Sequence, residues 1–325
     1  MDSKIKTRLL VLSDTHGMAF SPADKPLQRA DVAIHCGDLT DGSQLEEFRT
    51  TLQLLKDLDA PLKLVIAGNH DFSMDIDAFE QKLAETTPRL DPELVAKAYG
   101  APGEARQQFE EARDSGITFL DEGMHHFTLQ NGALLTVYAS PFTPAFGAWG
   151  FQYHPDRGHN FSIEKGVDVV ITHGPPKGIM DFTSGRERAG CPDLFSAVAR
   201  ARPRLHCFGH IHGGWGAKLV TWRDEYGDQP SHFTAIDNDK STVIEKLAGL
   251  MPSRFETSED VEHRLEKLKR YNESTCCTTS HCVGDEYPLE HGEQTLFVNA
   301  AVSGCSEEIP VQRPWIIDIE LPEAH

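Results

Sequence analysis

Residues 8–17 read RLLVLSDTHG, a short apolar run closed by Asp14-Thr15-His16-Gly17. A Leu/Val run of this length favours a buried strand, and the polar turn that follows carries metal-ligand side chains. The pattern occurs four more times, as DVAIHCGD at 31–38, LKLVIAGNHD at 62–71, VDVVITHGPP at 167–176 and LHCFGHIH at 205–212. Helical spacing falls between the runs. Ser43 and Glu46 read as a capping box before Leu45, Phe48, Leu52 and Leu55, while Leu194, Val198 and Ala201 repeat ahead of Pro203. Strand–helix alternation predicts an α/β fold. Further strands are predicted at 117–120, 133–139, 218–222, 296–300 and 315–321.

The 325 residues, 39% hydrophobic and 25% charged, are enough to bury a sizeable core. Fifty acidic against 31 basic residues give a net charge of −19. That field repels extended nucleic acid but allows a small phosphoester substrate in one local site. The sequence lacks a run of 18 apolar residues, so no membrane span or membrane partner is expected. The N-terminal apolar stretch is too short for a secretory signal, and seven cysteines lack regular spacing. Reduced thiols and a cytoplasmic or nuclear, non-secreted location follow as expectations.

Two stretches break the pattern. Residues 74–115 look helical, with a start at Asp91-Pro92 and a stop at Gly100. Residues 223–294 are polar and turn-rich, with one amphipathic helix near 258–271. We read a single domain, 1–325, with insertions 74–115 and 223–294, the second partly disordered. Together the insertions hold 13 of the 19 excess negative charges. Whether they recruit a protein partner is left open.

In a parallel or mixed sheet, strand ends converge on one edge, where such folds bind ligands. Asp14, His16, Asp38, Asn69, His173, His210 and His212 are therefore expected to gather there. Extended backbone at Asp14-x-His16 and His210-x-His212 would aim each pair the same way. Carboxylate, amide and imidazole donors suit manganese, iron, zinc or magnesium. Seven donors exceed one tetrahedral ion; sharing one carboxylate makes two sites of four, a binuclear centre.

The ordered motifs DTHG, GDLTD, GNHD, THGPP and GHIH resemble the calcineurin-like metallophosphoesterase superfamily. SPFTPAFGAWGFQ at 140–152, RERAGCPDLF at 186–195 and PRLHCFGHIHGGWG at 203–216 are similar to its metallophosphoesterase-domain-containing branch. The resemblance implies an α/β/β/α sandwich of two mixed sheets flanked by helices. It assigns Asp14, His16 and His212 to one metal, Asn69, His173 and His210 to a second, and Asp38 to both. His70 would face the substrate as general acid, with Asp71 orienting it. The implied cofactors are two divalent ions, manganese foremost.

Two cations would spread phosphoryl charge and supply a bridging hydroxide as nucleophile, and His70 would protonate the leaving oxygen. The branch implies a phosphodiesterase for small diesters or cyclic nucleotides. A phosphomonoesterase or protein phosphatase, and a non-catalytic nucleotide-binding scaffold, are the alternatives. Asp41 stands where purple acid phosphatases place a tyrosine, and the arginine that follows in Ser/Thr protein phosphatases is missing. Phe142, Phe146, Trp149 and Phe151 suit either base stacking or core packing. Arg186 and Arg188 are candidates for phosphate contact. Cys276, Cys277, His281 and Cys282 lack zinc-site spacing.

Overall fold

The computed structural model of the protein describes residues 3–147, 149–304, 309 and 311–324. Two sheets face each other. In spatial order the first holds β13 (Cys277–Ser280), β15 (Trp315–Pro322), β1 (Lys4–Leu12), β2 (Val32–His35), β3 (Leu62–Val65) and β4 (Ile117–Phe119). Only the β15–β1 pairing is antiparallel. The second holds β12 (Ile236–Lys246), β11 (Gly216–Trp222), β14 (Gln294–Asn299), β10 (Leu205–Phe208), β9 (Val169–Thr172), β6 (Leu134–Ser140) and β5 (Gly123–Thr128). Its central strands β14, β10, β9 and β6 are parallel, and both flanks are antiparallel. A small ribbon pairs β7 (Thr143–Pro144) with β8 (Gln152–Tyr153).

Both faces of the central strands are apolar because both are covered. Leu9, Val11, Ile34 and Leu64 of the first sheet meet Val137, Ile171, Cys207 and Val298 of the second in one core cluster. The first sheet's outer face packs on α1 (Leu45–Lys56) and α4 (Glu104–Glu111) through Phe48 and Phe109. The second packs on α5 (Pro192–Ala201) through Leu194, Phe195 and Val198. The layers are thus α/β/β/α, as expected.

Residues 74–115 form α2 (Ile76–Glu85), α3 (Pro92–Tyr99) and α4, with Asp91 capping α3 and Gly100 ending it. Residues 223–294 do more than expected. Beside α6 (Ser258–Ser274) they supply β12 and β13, which extend one edge of each sheet. β12 alternates little and is largely exposed, so its apolar signal is faint. The capping box also moves by one residue. Ser43 is left-handed (φ 59°) and hydrogen-bonded to Ser73, so Gln44 becomes the N-cap of α1. Glu47 reaches back to the amides of Asp41, Gly42 and Gln44 and ties down the loop that follows β2.

Trp215 and Trp315 stack between the sheets with centroids 5.0 Å apart, each at most 1% exposed. Trp215 Nε1 donates to the Arg313 carbonyl, whereas Trp315 Nε1 has no partner among the described residues. Trp315→Ala should lower unfolding free energy by about 3–5 kcal/mol in chemical denaturation. Trp315→Phe should cost clearly less, because it keeps a ring in the core and removes only an unpartnered N–H.

Candidate metal centre

Every candidate ligand sits just past a strand's carboxyl end. Asp14 and His16 follow β1, Asp38 follows β2, Asn69 and His70 follow β3, His173 follows β9, and His210 and His212 follow β10. The extended reading of Asp14-x-His16 does not hold. Asp14, His16, Asp38 and His210 have φ of 56°, 46°, 51° and 64°. Left-handed backbone at a residue with a Cβ costs on the order of 1–3 kcal/mol and recurs at functional sites. Tight turns, not pleat alternation, bring each pair into one cavity. His212 opens a 3₁₀ turn, His212–Gly214.

The loops are cross-tied. Asp14 N donates to Gly37 O (2.9 Å), His16 N to Asp38 O (3.1 Å), and Gly209 N to His173 O (2.9 Å). Both Asp14 oxygens accept from His210 N at 3.0 Å, and Asp38 Oδ1 accepts from His70 N at 2.8 Å. Two glycines permit this approach. A Cβ on Gly209 would collide with the side chains of Asp14 and Ser13. One on Gly68 would collide with Asp38 and lie 2.7 Å from His173 Cε1.

Donor atoms converge in three groups, each within 4.8 Å: Asp14, His16 and His212; His16, Asp38 and His70; Asp38, His173 and His210. His212 Nε2 lies 3.3 Å from Asp14 Oδ1, His16 Nε2 lies 3.8 Å from Asp38 Oδ2, and His173 Nε2 lies 3.3 Å from Asp38 Oδ1. Asn69 Oδ1 is 3.0 Å from His173 Nε2. His173 Nδ1 faces the Cys36 carbonyl at 2.9 Å. Donating there fixes the tautomer and leaves Nε2 as a ligand lone pair. The oxygen and imidazole donors therefore fit divalent cations. All seven predicted ligand residues come together.

Burial opposes ionisation of Asp14, yet His212, His173 and His16 hold it below the usual carboxylate range. Asp38 is likewise held down, chiefly by His173, against the effect of burial. In the absence of metal the imidazoles divide. Burial and His173 push His210 down to about 4, while Asp38 overcomes burial and takes His173 up to about 9.

His35 and His206 escaped sequence reasoning. His35 Nε2 pairs with Thr15 Oγ1 (3.0 Å), between Asp14 and His16, and His206 Nε2 pairs with Thr172 Oγ1 (2.8 Å), beside His173. Burial pushes both down to about 3, so each is a neutral brace behind a ligand turn. Their signal was a histidine inside an otherwise apolar strand.

The expected orienting role of Asp71 is corrected. Its carboxylate accepts from the amides of Gly68, Leu39 and Thr40 and from the Thr40 hydroxyl, bracing two ligand loops instead of touching the imidazole. Burial and nearby Asp38 push it up to about 7. His70 Nδ1 bonds the Asp41 carbonyl instead, at 2.7 Å. The Trp149 ring packs against His70 at a tilt of 35°, with centroids 4.4 Å apart. Of the aromatic loop, Phe142 packs against Phe151 and His159, and Phe146 is exposed. Arg188 bonds buried Asp181 and covers the Phe182 ring. Cys276, Cys277 and Cys282 are buried, and His281 Nδ1 is bonded to the Tyr287 carbonyl.

A family model described as calcineurin-like phosphoesterase matches residues 7–214. The human and mouse proteins named metallophosphoesterase domain-containing protein 1 are each 33% identical over 217 residues, covering 65% of this chain and 62% of theirs. The chain thus spans less than two thirds of these relatives. Among solved structures, a purple acid phosphatase from yellow lupin matches 69% of this chain and 40% of its own, with 12% identity and a TM-score of 0.34. No helix among the described residues is long and apolar enough to cross a membrane.

Gly68→Ala and Gly209→Ala should each displace a buried carboxylate. We expect both variants to fold with a lower melting temperature and to bind less than half the divalent metal that the wild type binds, measured by elemental analysis after gel filtration.

Proposed function

Because the chain belongs to the calcineurin-like phosphoesterase family, we propose that it is a metal-dependent phosphoester hydrolase acting on small phosphodiesters or cyclic nucleotides. The observation that carries this reading is the place of Asp38, grouped with His16 on one side and with His173 and His210 on the other. Asp14, His16 and His212 would hold one divalent cation and Asn69, His173 and His210 another, with Asp38 serving both. Manganese suits the donors; iron, zinc and magnesium are compatible. When bound, the cations supply Lewis acidity toward phosphoryl oxygens and lower the pKa of water toward neutrality.

The chain's own groups complete the chemistry. As the imidazolium, His70 donates Nδ1–H to the Asp41 carbonyl and holds Nε2–H free to pass to the departing oxygen. Trp149 packs against the ring and limits its rotation. Asp71 and Glu47 hold the loops that carry Asp38, Asn69 and His70, so the reacting groups are placed before substrate arrives.

The test is a panel of phosphomonoesters, linear diesters and cyclic nucleotides with manganese-reconstituted protein, Asp38→Asn serving as blank. Turnover of diesters, abolished by chelation, is expected. His70→Asn should keep its metal and lose about 10²–10⁴-fold in kcat. Metal-loaded protein that hydrolyses nothing above the blank overturns the reading.

A further inference from the structure

A cleft of about 950 Å³ opens directly beside the ligand residues, and its floor is His210, Ile211 and His212. One wall is the turn 182–188, closed by an antiparallel bridge between Phe182 and Arg188. Buried Asp181 anchors its base through the amides of Gly178 and Gly190 and the Arg188 guanidinium. The other wall runs from Leu247 to Phe255, and Leu247 and Leu250 root it in the core between the sheets. The first wall and the root of the second are therefore held in place. The second wall also lies beyond the 7–214 stretch matched by the family model.

The lining chemistry is unlike the rest of the molecule. In a chain of net charge −19, none of the described residues lining this cleft is acidic, while Arg186 and Arg254 both line it. Phe255 is 92% exposed, and Phe182, with the Arg188 guanidinium over its ring at 4.2 Å, is still 49% exposed. Aromatic rings left in water at the lip of a concave site bring a large gain when another flat group covers them. Two exposed arginines beside them, Arg186 and Arg254, favour an anionic occupant.

The position says which part of a substrate goes there. The proton donor, His70, sits with Asp41 and Trp149, and none of these three lines the cleft. A leaving group that takes its proton from His70 is accordingly directed elsewhere, and the cleft is left for a second substituent on the same phosphorus. A phosphomonoester has no such substituent.

We propose that this cleft is a subsite for the retained organic group of a phosphodiester, that the group is aromatic, and that Phe182 and Phe255 select it. The proposal rests on the phosphoesterase reading above and narrows it to diesters with an aryl or base-like group on the retained side.

Three probes share one leaving group: bis(4-nitrophenyl) phosphate, methyl 4-nitrophenyl phosphate and 4-nitrophenyl phosphate. With the manganese-loaded full chain, kcat/KM for the bis-aryl diester relative to the methyl diester should exceed the ratio of their hydroxide hydrolysis rates by about tenfold or more, the size of one aromatic stacking contact. In Phe182→Ala/Phe255→Ala that ratio should fall to near the hydroxide ratio, and Phe255→Ala alone should give an intermediate value. A wild-type ratio no greater than the hydroxide ratio, an unchanged ratio in the double variant, or hydrolysis of the monoester alone overturns the subsite. Turnover of none of the three overturns the phosphoesterase reading itself, and the subsite with it.

Discussion

Two carboxylates buried side by side in the seam between the sheets set the terms for everything around them. Asp14 and Asp38 are 0% and 2% exposed. An ionised carboxylate at that depth costs several kcal/mol unless it is compensated. Compensation comes in two forms. Backbone N–H groups of His210 and His70 reach across to the carboxylates, and imidazoles surround them. The remaining oxygen and nitrogen donors are left facing one another, an arrangement that divalent cations satisfy. Left-handed turns and two close-packed glycines follow from the need to bring five loops to one point.

The two sheets contribute in a similar way. Each backs a ligand turn with a buried, neutral histidine on a threonine hydroxyl: His35 with Thr15 in the first, His206 with Thr172 in the second. Among the described residues each histidine bonds a threonine hydroxyl and not a donor of the cavity, so the role of each is to hold a turn that is unfavourable on its own. The overall acidity of the chain and the character of the site are separate matters. Most of the excess charge lies in 74–115 and 223–294, while the cleft beside His210 and His212 is edged by arginines.

Much of this was legible from residues 8–17 outward. Buried parallel strands need unbroken apolar runs, and their ends must carry whatever chemistry the sheet supports, so the seven donors and the α/β class stood out. Other features depend on contacts between residues distant in sequence. Asp71 follows His70 directly, yet its carboxylate turns to the loop after β2, and the Asp41 carbonyl takes the imidazole. The cap of α1 shifts from Ser43 to Gln44 because Ser73 claims the serine hydroxyl. β12 was illegible because it buries little and alternates weakly, and β13 because it is a four-residue strand, CTTS, with little apolar content. The wall at Leu247–Phe255 was hidden for a related reason: its two anchoring leucines are separated by a short turn with no periodicity.

The most direct measurement is anomalous diffraction at the manganese edge from crystals grown with that ion. The account predicts two peaks in the seam, both within coordinating distance of Asp38, one flanked by Asp14, His16 and His212 and the other by Asn69, His173 and His210. A single peak away from Asp38, or a seam with no anomalous signal at saturating manganese, would contradict it.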